Sequence, residues 1–295
     1  MYYKHQKGGE AVSFIAGRTR EHAFIQVITN DDSYYFDYPV IATESEADGK
    51  QSSDFKRESE SLDCFVTDVP RNDFKIGESS FSNEGIWINI NQNGISIIGE
   101  IRYSGLTPLK YDIMGPFKYL PMQCKHKVVS LHHRLKGFIR IDGKVPDFTD
   151  GIGYIEGDYG KSFPENYLWL QCNDFADKAS IMVSVADIPF LGFGFRGCIC
   201  VVHINGKEYR FTTYLGAKII ECNEKRIVLK QGKFRLEIDI AQSAGHKLMA
   251  PQKGKMNREI SERIACGASF KLWENGLLLF DESSENASFE YVGCL

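Results

Sequence analysis

Short apolar runs of period two, or continuously apolar over about four to eight residues, recur along almost the whole chain and constrain its fold more than any other feature. They include Ala11–Ala16, Ala23–Thr29, Gly85–Ile90, Ile95–Arg102, Leu135–Ile141 and Trp169–Cys172. Later runs are Ser180–Val185, Cys198–Ile204, Arg226–Lys230, Phe234–Ile240, Ala268–Trp273 and Leu277–Phe280. Turn signals separate them at Asn93-Gly94, Asp142-Gly143, Asn205-Gly206, Gln231-Gly232 and Asn275-Gly276. An Asn-Gly pair between two apolar runs favours a tight hairpin, because both residues accept positive φ. No long helical periodicity competes with this pattern. The reading is all-β: antiparallel meanders in barrels or sandwiches.

The chain has 295 residues, enough for two ordinary domains, and a net charge of −4 with no basic stripe, which makes nucleic acid an unexpected partner. No apolar run reaches the roughly 20 residues of a membrane helix, and the start has no signal-peptide core. A cytoplasmic protein is expected, with its eight cysteines reduced and mostly serving as small core residues. Residues 42–60 are polar and charged and read as a solvated loop insertion. A weak internal echo relates Gly137–Gly157 to Gly267–Gly293: each runs strand, turn, acidic loop, then a glycine-ended strand. Read as the closing hairpins of two similar β-domains, these place one domain at 1–162 and the other at 163–295. Phe163-Pro164 marks the joint, and Tyr167-Leu168-Trp169 opens the second domain.

Residues 153–175 combine rings, carboxylates and amides as a cavity wall would. Glu156 and Asp158 are two apart, so an extended chain points both to one face. Repulsion would then hold a proton on one of them, making it a candidate general acid flanked by Tyr154 and Tyr159. Tyr167, Trp169, Gln171 and Asn173 share the next strand's other-side parity, against Leu168, Leu170 and Cys172 as core. Cys124, His126 and His132 share a parity too. As a zinc set they would have to converge along about 26 Å of strand, so His126 or His132 is read instead as a polar group of the cavity. The glycine-rich Ile188–Arg196 connection reads as a buried hairpin or a cavity rim, and Arg258–Glu262 as a solvated or ion-paired face.

The ordered set Tyr2-Tyr3-Lys4, Ser13–Gly17, His22–Val27, Ile113-Met-Gly-Pro-Phe117, Cys124-x-His126 through Gly137, Gly153–Phe175 and Met256-x-Arg258-x-Ile-x-Glu262 resembles the tocopherol cyclase-like family, especially its bacterial branch. The family's first motif follows Glu-Gly-Trp where this chain begins at Met1, so a start a few residues upstream is expected; its Asp-Trp-Gly step has Tyr159 here. The resemblance implies two lipocalin-like β-domains side by side, and a cyclase, hydratase or isomerase that needs no cofactor and acts on a prenylated or other lipophilic small molecule. Protonating an alkene needs a partly desolvated acid, and Asp158 is the first candidate and Glu156 the second. The resulting cation would be stabilised by Tyr159, Trp169 and Tyr167, with Gln26, Gln171, Asn173 and His126 orienting a polar head. The alternative is a non-catalytic carrier using the same cavity.

Overall fold

The computed structural model describes residues 1–19, 22–39, 74–190, 193–241, 244–252 and 255–293. The charged stretch 42–60, Cys64 and Cys294 lie outside the described residues. Ten strands form the first antiparallel sheet. They are β1 (Tyr2–Lys7), β2 (Glu10–Arg18), β3 (His22–Thr29), β4 (Ser33–Pro39), β5 (Phe74–Ile76), β6 (Ser79–Phe81), β7 (Gly85–Gln92), β8 (Ile95–Ser104), β9 (Cys124–Ile141) and β10 (Ile152–Gly160). Ten more form the second: β11 (Tyr167–Cys172), β12 (Ala179–Phe190), β13 (Phe193–Ile204), β14 (Lys207–Thr212), β15 (Lys218–Cys222), β16 (Arg226–Gln231), β17 (Phe234–Ile240), β18 (His246–Gln252), β19 (Lys255–Glu274) and β20 (Leu277–Val292). Among the described residues there is no α-helix, so none long and apolar enough to cross a membrane.

The two sheets repeat one topology. Their orders are β4-β3-β2-β1-β10-β9-β8-β7-β6-β5 and β14-β13-β12-β11-β20-β19-β17-β16-β15, with β18 pairing β19 to one side. In each, the last hairpin returns to pair with the first strand, β10 on β1 and β20 on β11. The turn chemistry follows the sequence. Asn93, Asp142, Asn205 and Asn275 have φ of 56°, 45°, 48° and 50°, each followed by a glycine at positive φ. That backbone matches the right-handed twist of the strands it joins.

Alternation along β1 and β11 sorts side chains between three packing regions. Tyr3 joins Phe14, Ile25, Ile88 and Ile139 inside the first sheet, and Leu168, Leu170 and Cys172 join Val183, Leu229 and Phe270 inside the second. The alternate residues Tyr2, Trp169 and Tyr167 pack between the sheets with Val128, Leu131 and Met182. Polar residues cross the same seam. Lys4 Nζ donates to the Asn286 carbonyl at 2.5 Å, and Gln6 Nε2 donates to Asn173 Oδ1 at 2.8 Å. Asn173 Nδ2 then donates to the Gly153 and Leu131 carbonyls at 2.9 and 3.2 Å. On the flank, Gln26 clamps β18 at two points, its amide donating to Met249 O and accepting from Met249 N, both at 2.8 Å.

A buried carbonyl stripped of its donor loses about 1–3 kcal/mol. Asn173→Ala withdraws donors from two carbonyls at the seam. It is expected to lower the unfolding free energy in a denaturant titration by about 1–3 kcal/mol; an unchanged midpoint would mean the seam does not couple the sheets.

Candidate active site

β10 presents Tyr154, Glu156 and Asp158 on one face because residues two apart share a face of a strand. β9 lies alongside in the register His126↔Asp158. His126 Nδ1 therefore meets Asp158 Oδ1 at 2.7 Å, while its Nε2 sits 3.0 Å from Glu156 Oε2, an ion-pair contact outside hydrogen-bond geometry. Tyr154 donates its hydroxyl to the same Glu156 oxygen at 2.5 Å. Glu156 and His126 are buried and Asp158 is partly exposed. Burial opposes a charge on His126, but Glu156 and Asp158 outweigh it and hold the imidazole well above its usual range. One ligand atom from each of the three lies within 4.8 Å of the others, so together they have the donor set of a metal site. Each imidazole nitrogen already faces a carboxylate, however, and the imidazolium occupies the cation's place.

These groups line a cavity between the sheets with about 150 Å³ of free space. Ile15 and Phe24 of the first sheet, Ile188 and Ile199 of the β12–β13 hairpin, and Leu248 and Ile260 of β18 and β19 make most of its wall apolar. Met114 and Phe117, beside or in a 3-10 turn at Gly115–Tyr119, border it. Trp169 stands in the wall against Tyr2, ring centroids 5.2 Å apart and edge-on, and its buried indole N–H has no acceptor among the described residues.

A second pair of carboxyls comes from the other sheet. Glu262 on β19 and Glu290 on β20 are cross-strand partners. Glu262 is fully buried and Glu290 lines the cavity. Tyr2 Oη lies 2.8 Å from Glu262 Oε1, and Tyr167 donates to Glu290 Oε2 at 2.6 Å. Burial pushes the Glu262 carboxyl up to about 7. Burial, followed by the charge of Glu262, lifts Glu290 well above the usual carboxylate range. In the Arg258–Glu262 stretch, Glu259 is exposed and ion-paired with Lys247 at 2.9 Å as expected from its charges, but Glu262 is not solvated. Arg258 donates to the Pro164 and Glu165 carbonyls, and Glu262 points inward. The signal was parity: Glu262 falls in step with Ile260, Ile264 and Cys266, all buried. Glu290 had no such signal, since only cross-strand register brings it to Glu262.

The structure brings Glu156, Asp158, His126, Tyr167, Trp169 and Gln26 to the cavity wall. The other expected residues lie elsewhere. Tyr154 sits behind Glu156 with its hydroxyl bound to it. Tyr159 has the opposite parity to Asp158, is 36% exposed, and lies beneath Lys125, whose Nζ is 5.9 Å from the ring centroid. Asn173 is consumed by the seam. Gln171 is fully buried outside the lining, with neither side-chain polar atom bonded among the described residues. His132 faces a separate shallow depression with Ser104, Arg134 and Lys178. His132 lies six residues along β9 from His126, beyond the bulges opposite Gly153–Glu156, so Cys124 and His126 do not share a site with it.

Comparison with known proteins gives the same architecture. An AttH candidate from Nitrosomonas europaea superposes with a TM-score of 0.53 at 10% identity, covering 98% of this chain and 91% of that one. CghA, solved with Sch210972, gives a TM-score of 0.53 at 10% identity over 99% of this chain and 88% of that one. A probable chloroplastic tocopherol cyclase of Oryza sativa subsp. japonica is 27% identical over 85 residues, which are 27% of this chain and only 18% of the rice protein. The family model described as tocopherol cyclase-like matches residues 105–293, taking in β9, β10 and the whole second sheet. With well over half of its length matched, the chain belongs to the tocopherol cyclase-like family.

Proposed function

We propose that this protein is a cyclase or hydratase that works without a cofactor on a prenylated or similarly lipophilic small molecule, held in the cavity between residues 1–162 and 163–295 as two domains. The observation that carries the reading is an apolar cavity with a largely buried, ion-paired acid–base unit in its wall. Burying ions costs several kcal/mol each unless they are paired and hydrogen-bonded. A carrier needs only the apolar wall. A fold that also retains His126 between two carboxylates points to chemistry.

Such a reaction moves two protons. An alkene carbon gains one, which leaves a carbocation on its neighbour, and the attacking hydroxyl or water loses one. Asp158, partly exposed and bonded to His126 at 2.7 Å, suits proton transfer because the imidazole beside it exchanges the proton along an existing hydrogen bond. Trp169 and Tyr167 offer ring faces to the cation, and the unpartnered Trp169 N–H offers a donor to an oxygen on the substrate. The substrate's polar head would then sit toward the second sheet, and the cytoplasm is its proposed compartment.

Three outcomes are expected. Asp158→Asn lowers kcat on a geranyl-substituted hydroquinone by about 10²–10⁴-fold while the ligand still binds; unchanged turnover would remove Asp158 from the chemistry. His126 is expected to remain an imidazolium at neutral pH in an NMR titration, with Asp158→Asn moving its midpoint back toward 6.5. Because the folded value lies above the unfolded one, the ion pairs' contribution to stability is complete below 6.5 and fades as pH rises through the raised value. The stability difference between wild type and His126→Gln should therefore shrink on the alkaline side.

A further inference from the structure

Beside the Tyr2 ring, a chain of hydroxyl contacts runs from β19 through β1 and β20 back to β19. Glu262 Oε1 lies 2.8 Å from Tyr2 Oη, Tyr2 Oη lies 3.1 Å from Ser288 Oγ, and Ser288 Oγ lies 2.9 Å from the Ile264 carbonyl. Ile264 falls between the pairs Arg263↔Phe289 and Cys266↔Ala287, where the β19–β20 ladder is irregular. This end fixes the direction of the chain. A carbonyl only accepts, so Ser288 spends its one hydrogen on Ile264. Ser288 Oγ then accepts from Tyr2, which spends the phenol's one hydrogen. The contact between Tyr2 and Glu262 is left without a hydroxyl hydrogen, and only the Glu262 carboxyl can supply one. Glu262 and Ser288 are both fully buried. The other carboxyl oxygen, Glu262 Oε2, has no donor among the described residues, and Lys4 Nζ is committed to the Asn286 carbonyl. A carboxylate in this place would be a buried charge without a partner, whereas a neutral acid leaves only a carbonyl oxygen unbonded, which costs far less.

Tyr2 carries the consequence into the cavity. Its ring lines the wall and meets Trp169 edge-on at 5.2 Å, and Trp169 holds the buried N–H that has no acceptor. We propose that Glu262 is a neutral carboxylic acid in the folded protein and a positioning residue of this wall: by donating to Tyr2 Oη it fixes the phenol, and through the Tyr2 ring it sets where the Trp169 N–H stands. Its part in turnover rests on the reaction class proposed above, since Glu262 itself lies outside the cavity lining. The titratable groups facing it are Tyr2 and Lys4 from β1, Glu156 from β10 and Glu290 from β20. Burial raises the Glu262 carboxyl to about 7, with Lys4 acting against the rise and Glu156 adding to it. Ionisation reverses the chain: the phenol turns its one hydrogen to the carboxylate, and the Tyr2–Ser288 contact loses its own. Because the folded value lies above the unfolded one, the stability this proton contributes is complete below about 4.5 and fades as pH rises through about 7.

Infrared spectroscopy locates the proton without any turnover. At mildly acidic pH, the difference between wild type and Glu262→Gln should contain the carbonyl stretch of a protonated carboxyl. Ser288→Ala should shift that band, because the chain beyond Tyr2 is cut. A difference spectrum without the band overturns the proposal. NMR follows the wall. The Trp169 indole N–H resonance, assigned by its loss in Trp169→Phe, should move as pH is raised through neutrality, and Glu262→Gln should remove that movement. A resonance that stays still in the wild type, or moves equally in Glu262→Gln, overturns the positioning role; a merely structural Glu262 would change the melting temperature without this pH-linked shift. With the geranyl-substituted hydroquinone, Glu262→Leu should raise KM by about tenfold with kcat nearly kept. Glu262→Gln, whose amide can still donate to Tyr2 Oη, should recover most of that loss, and equal KM values in the two variants count against the donated hydrogen. The band and the resonance need only Glu262→Gln, which keeps the size of the side chain, so they decide the matter even if Glu262→Leu unfolds. A wild type that binds but converts no hydroquinone counts against the proposed reaction, while the band still decides where the proton resides.

Discussion

The two faces of one strand set the arrangement of this molecule. On β1, Tyr3 belongs to the interior of the first sheet, while Tyr2, Lys4 and Gln6 reach across to the second. A buried polar group without a partner is costly, and these three find theirs on Glu262, Asn286 and Asn173, from 167 to 282 residues away in sequence. The strand thus acts as a ruler. Its period of two spaces three polar contacts along the seam and fixes the register of one sheet against the other. Lys4 shows how dry the seam is, since burial brings its ammonium down to about 8.

The cavity follows from that register. Where the seam ends at Tyr2, the face of β10 carrying Glu156 and Asp158 meets the face of β11 carrying Tyr167 and Trp169, and β18 with the first half of β19 folds over the flank. Ala11 and Ile28 of the first sheet pack there on Leu248, Ala250, Ile260 and Ile264. Each wall then holds its own carboxyls in a different state. The first pairs two of them with an imidazolium; the second gives them the hydroxyls of Tyr2 and Tyr167. Burial in the second wall raises Glu262 and Glu290 above the usual carboxylate range.

Much of this was legible in the sequence. Apolar alternation and the Asn-Gly and Asp-Gly pairs located most strands and hairpins, and the pairing of Glu156 with Asp158 on one face needed only the period of a strand. The repeated closing hairpin was visible as well, because β9–β10 and β19–β20 occupy equivalent places in the two sheets. What escaped had two physical causes. Two bulges shift β9 against β10 by two residues between His126 and His132, and His132 lines a different depression, so its place along the strand could not be read from His126. Long strands such as β19 and β20 carry buried polar residues, and their partners lie on strands that the chain reaches much earlier. Neither Tyr2 nor Glu290 carries any local mark of facing the cavity; their roles come from pairing across the molecule.

The central claim is that this seam builds a site for a lipophilic molecule between two carboxyl-bearing walls. A crystal structure of the protein with a geranyl-substituted hydroquinone tests it most directly. The ligand is expected between β10 and β20, with a ring oxygen on the Trp169 indole N–H and the prenyl double bond beside Asp158. A ligand bound elsewhere, or a cavity filled by side chains with Trp169 N–H bonded to the protein itself, would contradict it.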